Sequence, residues 1–244
     1  MNLLAFLLSL ISSISTLFGI IFIYKSDDNI VSNCLYFTSG VMITVSIIDL
    51  IPESFKLFRT NIKLIPTILF ILIFINIGCL ISKYIDNKTN NDNSLYQVGI
   101  ISMIAIIIHN IPEGIITYIS SNKNLKLGIM LTISIMLHNI PEGISIAVPI
   151  YHGTKNKTKA IIYTLMAGFS ELLGTISAFI LFSSFINNVS LACILSITAG
   201  IMIYISIFEL IKEGRHYDNK FKTIFLLIGI IIVILTQIIV NTLL

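Results

Sequence analysis

The sequence predicts an all-α, polytopic membrane protein with eight transmembrane helices. Mean hydropathy is +0.97 and only 11% of the 244 residues are charged, a balance foreign to soluble domains of this size. Apolar runs of roughly 20 residues recur along the chain, enough to cross a hydrocarbon layer of about 30 Å as helix. Short polar breaks separate them, so almost nothing remains outside the bilayer and the chain reads as one transmembrane domain, residues 1–244.

The first run, Leu3 to Tyr24, lacks the basic leader and small-residue cleavage site of a secretory signal, so it is expected to stay as a helix. The others are Val31 to Pro52, Leu64 to Lys83, Gln97 to Ile119, Lys126 to Ile150, Lys159 to Ser183, Ser190 to Ile211 and Lys222 to Leu243. The longest break, residues 84–96, is rich in Asn and reads as a loop. If the N-terminus is outside, Lys25, Lys83, Lys88, Lys155, Lys157, Lys159, Lys212, Arg215, Lys220 and Lys222 fall on the cytoplasmic side. Only Lys56, Arg59, Lys63, Lys123 and Lys126 fall on the other, an asymmetry that places both termini outside a plasma membrane. The net charge of +3 is thus a topology signal and gives no reason to invoke nucleic acid. Cys34, Cys79 and Cys193 stand one per helix, without a CxxC pair, and suggest neither a disulfide framework nor a thiolate metal site.

Two stretches echo each other. GVMITVSIIDLIPES (Gly40 to Ser54) aligns with GIMIYISIFELIKEG (Gly200 to Gly214), with the acids Asp49 and Glu209 opposite one another. The second helix would run outward and the seventh inward, so these segments would be related by inversion, a recurring construction in secondary transporters. The axis would pass between the fourth and fifth helices.

Those two central helices carry the chemistry. HNIPEG occurs at His109 to Gly114 and again at His138 to Gly143. Ionisable groups deep in a bilayer cost several kcal/mol in order of magnitude, so they face partners or wet cavities. A lone buried His or Glu is often only a hydrogen-bond partner; four at matched depth call for a common one. Positions i and i+4 share a helix face, so His109 pairs with Glu113 and His138 with Glu142, and Asn110 and Asn139 can add amide oxygens. A divalent transition metal suits such a cage. Pro112 and Pro141 would break their helices there, and Gly114 and Gly143 would admit close neighbours. In the sixth helix Glu171 supplies a third carboxylate, flanked by Gly168, Ser170 and Gly174. With three carboxylates, either two ions share bridging acids or one ion is accompanied by protonated acids. Asp49 and Glu209 can be pathway ligands or plain solvated acids. Glu53, Glu213, His152 and His216, at or beyond helix ends, read as solvated, and Asn76 and Gln237 as bonding across helices or lining the path. HNIPE is not the HExxH arrangement of zinc hydrolases, and no enzyme is expected.

The paired HNIPEGI, with SELLG in the next helix, resembles the ZIP (Zrt-, Irt-like protein) family of divalent metal transporters, in particular its bacterial ZupT branch. The likeness extends over nearly the whole chain. It implies a 3+2+3 inverted-repeat bundle, often a homodimer in the lipid bilayer, moving Zn2+ first, with Fe2+, Mn2+, Co2+ and Cd2+ as further candidates, into the cytoplasm. Carried residue by residue, it implies metal ligands at His109, Asn110, Glu113, His138, Asn139, Glu142 and Glu171, with Asp49 and Glu209 along the route. The metal would be cargo, and no catalytic cofactor is implied. The His-rich loop of many members is missing between the third and fourth helices, where residues 84–96 contain no His.

Overall fold

The computed structural model describes residues 3–25, 27–88, 94–181, 187–217 and 219–243, which are almost entirely helical and contain no strand. Eight helices are long and apolar enough to cross a membrane: α1 (Leu3–Ile23), α2 (Asp28–Arg59), α3 (Leu64–Lys88), α4 (Leu95–Asn122), α5 (Leu125–Thr154), α6 (Lys157–Ile180), α7 (Asn188–Gly214) and α8 (Lys222–Ile239).

Three of these differ from the sequence expectation. α3 runs to Lys88, because nothing in the polar stretch after Lys83 removes a backbone donor or demands an unusual dihedral. The expected loop 84–96 is therefore largely helical where it is described, and residues 89–93 lie outside the described residues. α2 does not stop at Pro52 but continues to Arg59 by widening first: Ser46–Leu50 is a π-helical turn, and the Ile51 N–H reaches back five residues to the Ser46 carbonyl. The wider turn accommodates a proline that lacks a donor and whose ring would crowd the preceding turn. α7 widens at the aligned place, Ile205–Leu210, where the Ile211 N–H bonds the Ser206 carbonyl. No proline stands there. In both, a serine caps the distortion from inside, Ser46 Oγ donating to Met42 O (2.8 Å) and Ser206 Oγ to Met202 O (2.7 Å). The end of the expected sixth helix at residues 182–183 lies outside the described residues.

Close packing follows small residues. Gly143 of α5 sits against the Thr16 carbonyl of α1, Gly114 of α4 against the Glu171 carbonyl of α6, and Gly174 of α6 against the Ile111 carbonyl of α4. Likewise Gly40 and Gly229 join α2 to α8, while Gly78 and Gly200 join α3 to α7. These backbone contacts replace the hydrophobic driving force that lipid removes. They divide the bundle into two tightly packed groups, α1/α4/α5/α6 and α2/α3/α7/α8. Val41, Met42, Val45, Ala147, Val148, Ile201 and Ile205 form the core between them, and Thr38 Oγ1 donates across it to the Pro141 carbonyl (3.2 Å). α3 and α8 are the least buried helices and present long rows of exposed Ile and Leu, as lipid-facing helices do.

Candidate metal site

The HNIPEG segments lie inside α4 and α5, and neither helix breaks at its proline. This corrects the expected interruption: one lost hydrogen bond does not end a helix clamped by neighbours, and here Gly114 and Gly143, each two residues on, are held against α6 and α1.

His109, Glu113 and His138 each place one ligand atom within 4.8 Å of the others, and all three are buried. Glu113 Oε1 is the hub, 3.1 Å from His109 Nε2 on its own helix and 2.8 Å from His138 Nε2 across the helix pair. His109 Nε2 also lies 3.3 Å from Glu142 Oε1. The expected same-helix pairing therefore holds in α4 but not in α5, where His138 turns to Glu113 and Glu142 approaches His109. Only the His138 contact has the geometry of a hydrogen bond. His109 Nε2 and Glu142 Oε1 approach one another at ion-pair distance without the geometry of a hydrogen bond, and among the described residues neither they nor Glu142 Oε2 and Glu113 Oε2 have a hydrogen-bond partner. Buried donors and acceptors left this way are costly unless something else satisfies them.

Both asparagines point one end at protein and leave the other open. Asn110 Nδ2 donates to the Ala167 carbonyl of α6 (3.0 Å), and Asn139 Nδ2 to the Ser12 carbonyl of α1 (3.1 Å). Their Oδ1 atoms are buried without partners. Glu171 is fully buried, its Oε2 accepting from Asn139 Nδ2 (3.1 Å) and its Oε1 from the Ser12 hydroxyl. It thus adjoins the His/Glu cluster through Asn139. Its glycine neighbours meet different helices: Gly174 meets α4, and Gly168 meets Ser13 and Thr16 of α1.

The two outlying acids part company. Asp49, in the π turn of α2, lines a cavity of about 250 Å³ together with Glu53, Lys56, Ser134, Gln237 and Glu113. A smaller hollow joins Asp49 to His138 and Gln237. Asp49 therefore stands between the exposed Lys56–Glu53 pair (3.2 Å) and the cluster. Glu209 is buried away from it, facing Asp86 of α3, which accepts from Gln97 Nε2 (2.7 Å) and the Tyr204 hydroxyl (3.2 Å).

Of the acids and histidines read as solvated, His216 is exposed, Glu53 is ion-paired and half-buried, His152 is half-buried within α5, and Glu213 is buried. Asn76 bonds the Leu72 carbonyl of its own helix (2.8 Å), not another helix. Ser12, Asp86, Gln97 and Tyr204 were not singled out in the sequence. Ser12 is one hydroxyl in a serine-rich apolar helix, and Asp86 falls in the stretch read as loop.

A family model described as ZIP Zinc transporter matches residues 82–237, well over half the chain. The chain is 36% identical to a zinc transporter ZupT of Campylobacter jejuni subsp. jejuni, with 92% of each chain covered. It is 33% identical to a zinc transporter ZupT of Clostridium perfringens (93% of this chain, 92% of the relative) and 35% identical to one of Streptococcus mutans (91% of each). These matches run through the helices that carry the cluster, and the chain belongs to the ZIP family, a family of transporters and not of enzymes.

Proposed function

We propose that this protein takes up divalent transition-metal cations, Zn2+ foremost, from outside the cell into the cytoplasm, through a site near the bilayer midplane built on α4 and α5. The observation that carries the reading is the buried Glu113–His138–His109–Glu142 cluster with its unpartnered nitrogen and oxygen atoms. Two carboxylates and two neutral imidazoles balance one doubly charged ion, and all-N/O ligation without thiolate lets it leave again. Asn110 and Asn139 would add their free Oδ1 atoms, and Glu171, its oxygens here held by Ser12 and Asn139, would join either as a protonated acid beside one ion or as a carboxylate shared with a second ion. The Asp49 cavity would be the outer approach, with Glu209 at the opposite, inner end. Both termini would be extracytoplasmic in the plasma membrane. The aligned π turns of α2 and α7, and the matching Asn110–Ala167 and Asn139–Ser12 bonds, support a 3+2+3 inverted arrangement. A homodimer is the assembly the family pattern implies.

Reconstituted into liposomes with the termini outside, the protein is expected to accumulate Zn2+, with Fe2+, Mn2+, Co2+ and Cd2+ competing to different degrees. Absence of flux from folded protein in either orientation would overturn the reading. Acidification should slow uptake, because imidazole and carboxylate ligands must be deprotonated to bind metal. Once a ring is protonated, each proton that must leave lowers apparent affinity by about tenfold per pH unit. Initial rates measured from neutral to mildly acidic pH check the sign: an apparent KM that does not rise as pH falls would exclude these ligands.

A further inference from the structure

A second cavity, of about 260 Å³, lies where α1 and α5 meet α2 and α8. Its walls are apolar: Phe22 from α1, Cys34 and Phe37 from α2, Ile144 from α5, Phe225 and Ile228 from α8. Ile144 and Cys34, 1% and 7% exposed, form its deep end, whereas Phe22 and Ile228, 41% and 38% exposed, stand at its mouth and belong to the lipid-facing surface. An opening framed by such side chains on membrane-spanning helices suits hydrocarbon. Apolar cavities smaller than this one stay dry and accept apolar ligands.

A lysine stands at the same end of α8, outside the cavity's own lining. Lys222 precedes Phe225 by three residues and so shares its face of α8, one turn nearer the helix start. The Lys222 ammonium lies 5.9 Å from the centre of the Tyr36 ring, which anchors it over α2. At the same end Asn33, also lining the cavity, accepts from Asn219 Nδ2 (2.8 Å) and ties the segment before α8 to α2. Asp27 is turned into the cap of its own helix, accepting from the Ile30 N–H (2.8 Å). The Lys222 ammonium is thus about one helical turn from the Phe225 wall, within reach of an anionic headgroup whose hydrocarbon enters the crevice.

We propose that this crevice holds one acyl chain of an anionic phospholipid whose headgroup rests against Lys222, wedged between the α1/α5 and α2/α8 helix pairs. The chain end would touch Ile144, two residues from Glu142, so the lipid fills the seam beside the helix that carries half of the cluster. The test does not involve metal, so its result is independent of the transport reading.

Protein in lipid nanodiscs containing phosphatidylglycerol with a diazirine along one acyl chain is irradiated, and adducts are mapped by peptide mass spectrometry. Adducts are expected on peptides containing Cys34, Phe37 and Phe225. Ile228→Trp, which fills the mouth from the lipid side, and Cys34→Phe, which fills the deep end, should each reduce them to background. Lys222→Gln should lower phosphatidylglycerol adducts about fivefold, the weight one Lys carries against an anionic lipid, and leave phosphatidylcholine adducts unchanged. Adducts spread evenly over the exposed faces of α3 and α8, adducts that survive both filling variants, or equal labelling by the two headgroups in the unaltered protein would each overturn the proposal.

Discussion

Glu113→Ala should abolish metal accumulation while leaving the protein folded in the membrane. Among the described residues, Glu113 is the carboxylate that both imidazoles approach, at 3.1 Å from His109 and 2.8 Å from His138. On the proposed reading, removing it deletes a ligand and part of the negative charge that would balance a doubly charged ion. It also takes from His138 the carboxylate it hydrogen-bonds. Loss of outer-shell partners costs metal sites about 10–100-fold, so loss of a residue proposed as a direct ligand should cost about 100-fold or more in uptake at limiting metal. Glu113→Gln, which keeps the shape and an acceptor, should fail almost as completely, since charge is what it lacks. Glu142→Ala reaches only His109, at 3.3 Å, and should do less. Folding can be separated from function here, because a buried carboxylate without its ion is itself a cost to stability. Radiometal uptake, normalised to membrane-embedded protein, decides the matter. Wild-type accumulation by Glu113→Ala would show that the cluster is not the ion's resting place.

The parts of the site that could be read from the sequence are those set by covalent spacing. His109 and Glu113 are four residues apart on one helix and meet as that spacing requires. His138 and Glu142 have the same spacing and do not pair, because a neighbouring helix offers His138 a closer carboxylate. Periodicity says which side chains share a face; it does not say which of two neighbours on opposing helices is nearer. Ser12 was invisible for a related reason. Hydroxyls in apolar helices commonly bond their own preceding turn, as Ser9 does to Ala5, and nothing local marks the one that reaches Glu171. Hydropathy located all eight membrane-spanning helices, yet it located the end of α3 poorly, since helix continues through polar residues until a breaker or a cap stops it. The π turns escaped notice because Asp49 and Glu209 sit in ordinary-looking apolar sequence, and Pro52 looked like a terminus when it marks a widened turn.

A single methyl group at Gly143 should be as damaging as loss of a ligand, by a different route. A Cβ built there collides with the Thr16 carbonyl oxygen of α1, and Gly19 of α1 is in turn packed against the Gly143 backbone. Neither partner is a side chain that can swing aside, so Gly143→Ala must push two helix backbones apart. Overpacking costs about 1–3 kcal/mol even where side chains can adjust, and about 3 kcal/mol or more is expected here. Separation of α1 from α5 would also carry Ser12 away from Asn139 and Glu171, so any protein that folds should transport poorly. Gly99→Ala is the matched control, since its new methyl meets first side-chain atoms of Ile150 (2.6–2.7 Å) and the backbone nitrogen only at 3.1 Å. Thermal unfolding in detergent together with metal uptake distinguishes the two: a sharply lowered Tm and lost uptake for Gly143→Ala, near-normal behaviour for Gly99→Ala. Equal tolerance of both substitutions would mean that α1 and α5 are not in backbone contact, and that Ser12 cannot be what positions Asn139 and Glu171.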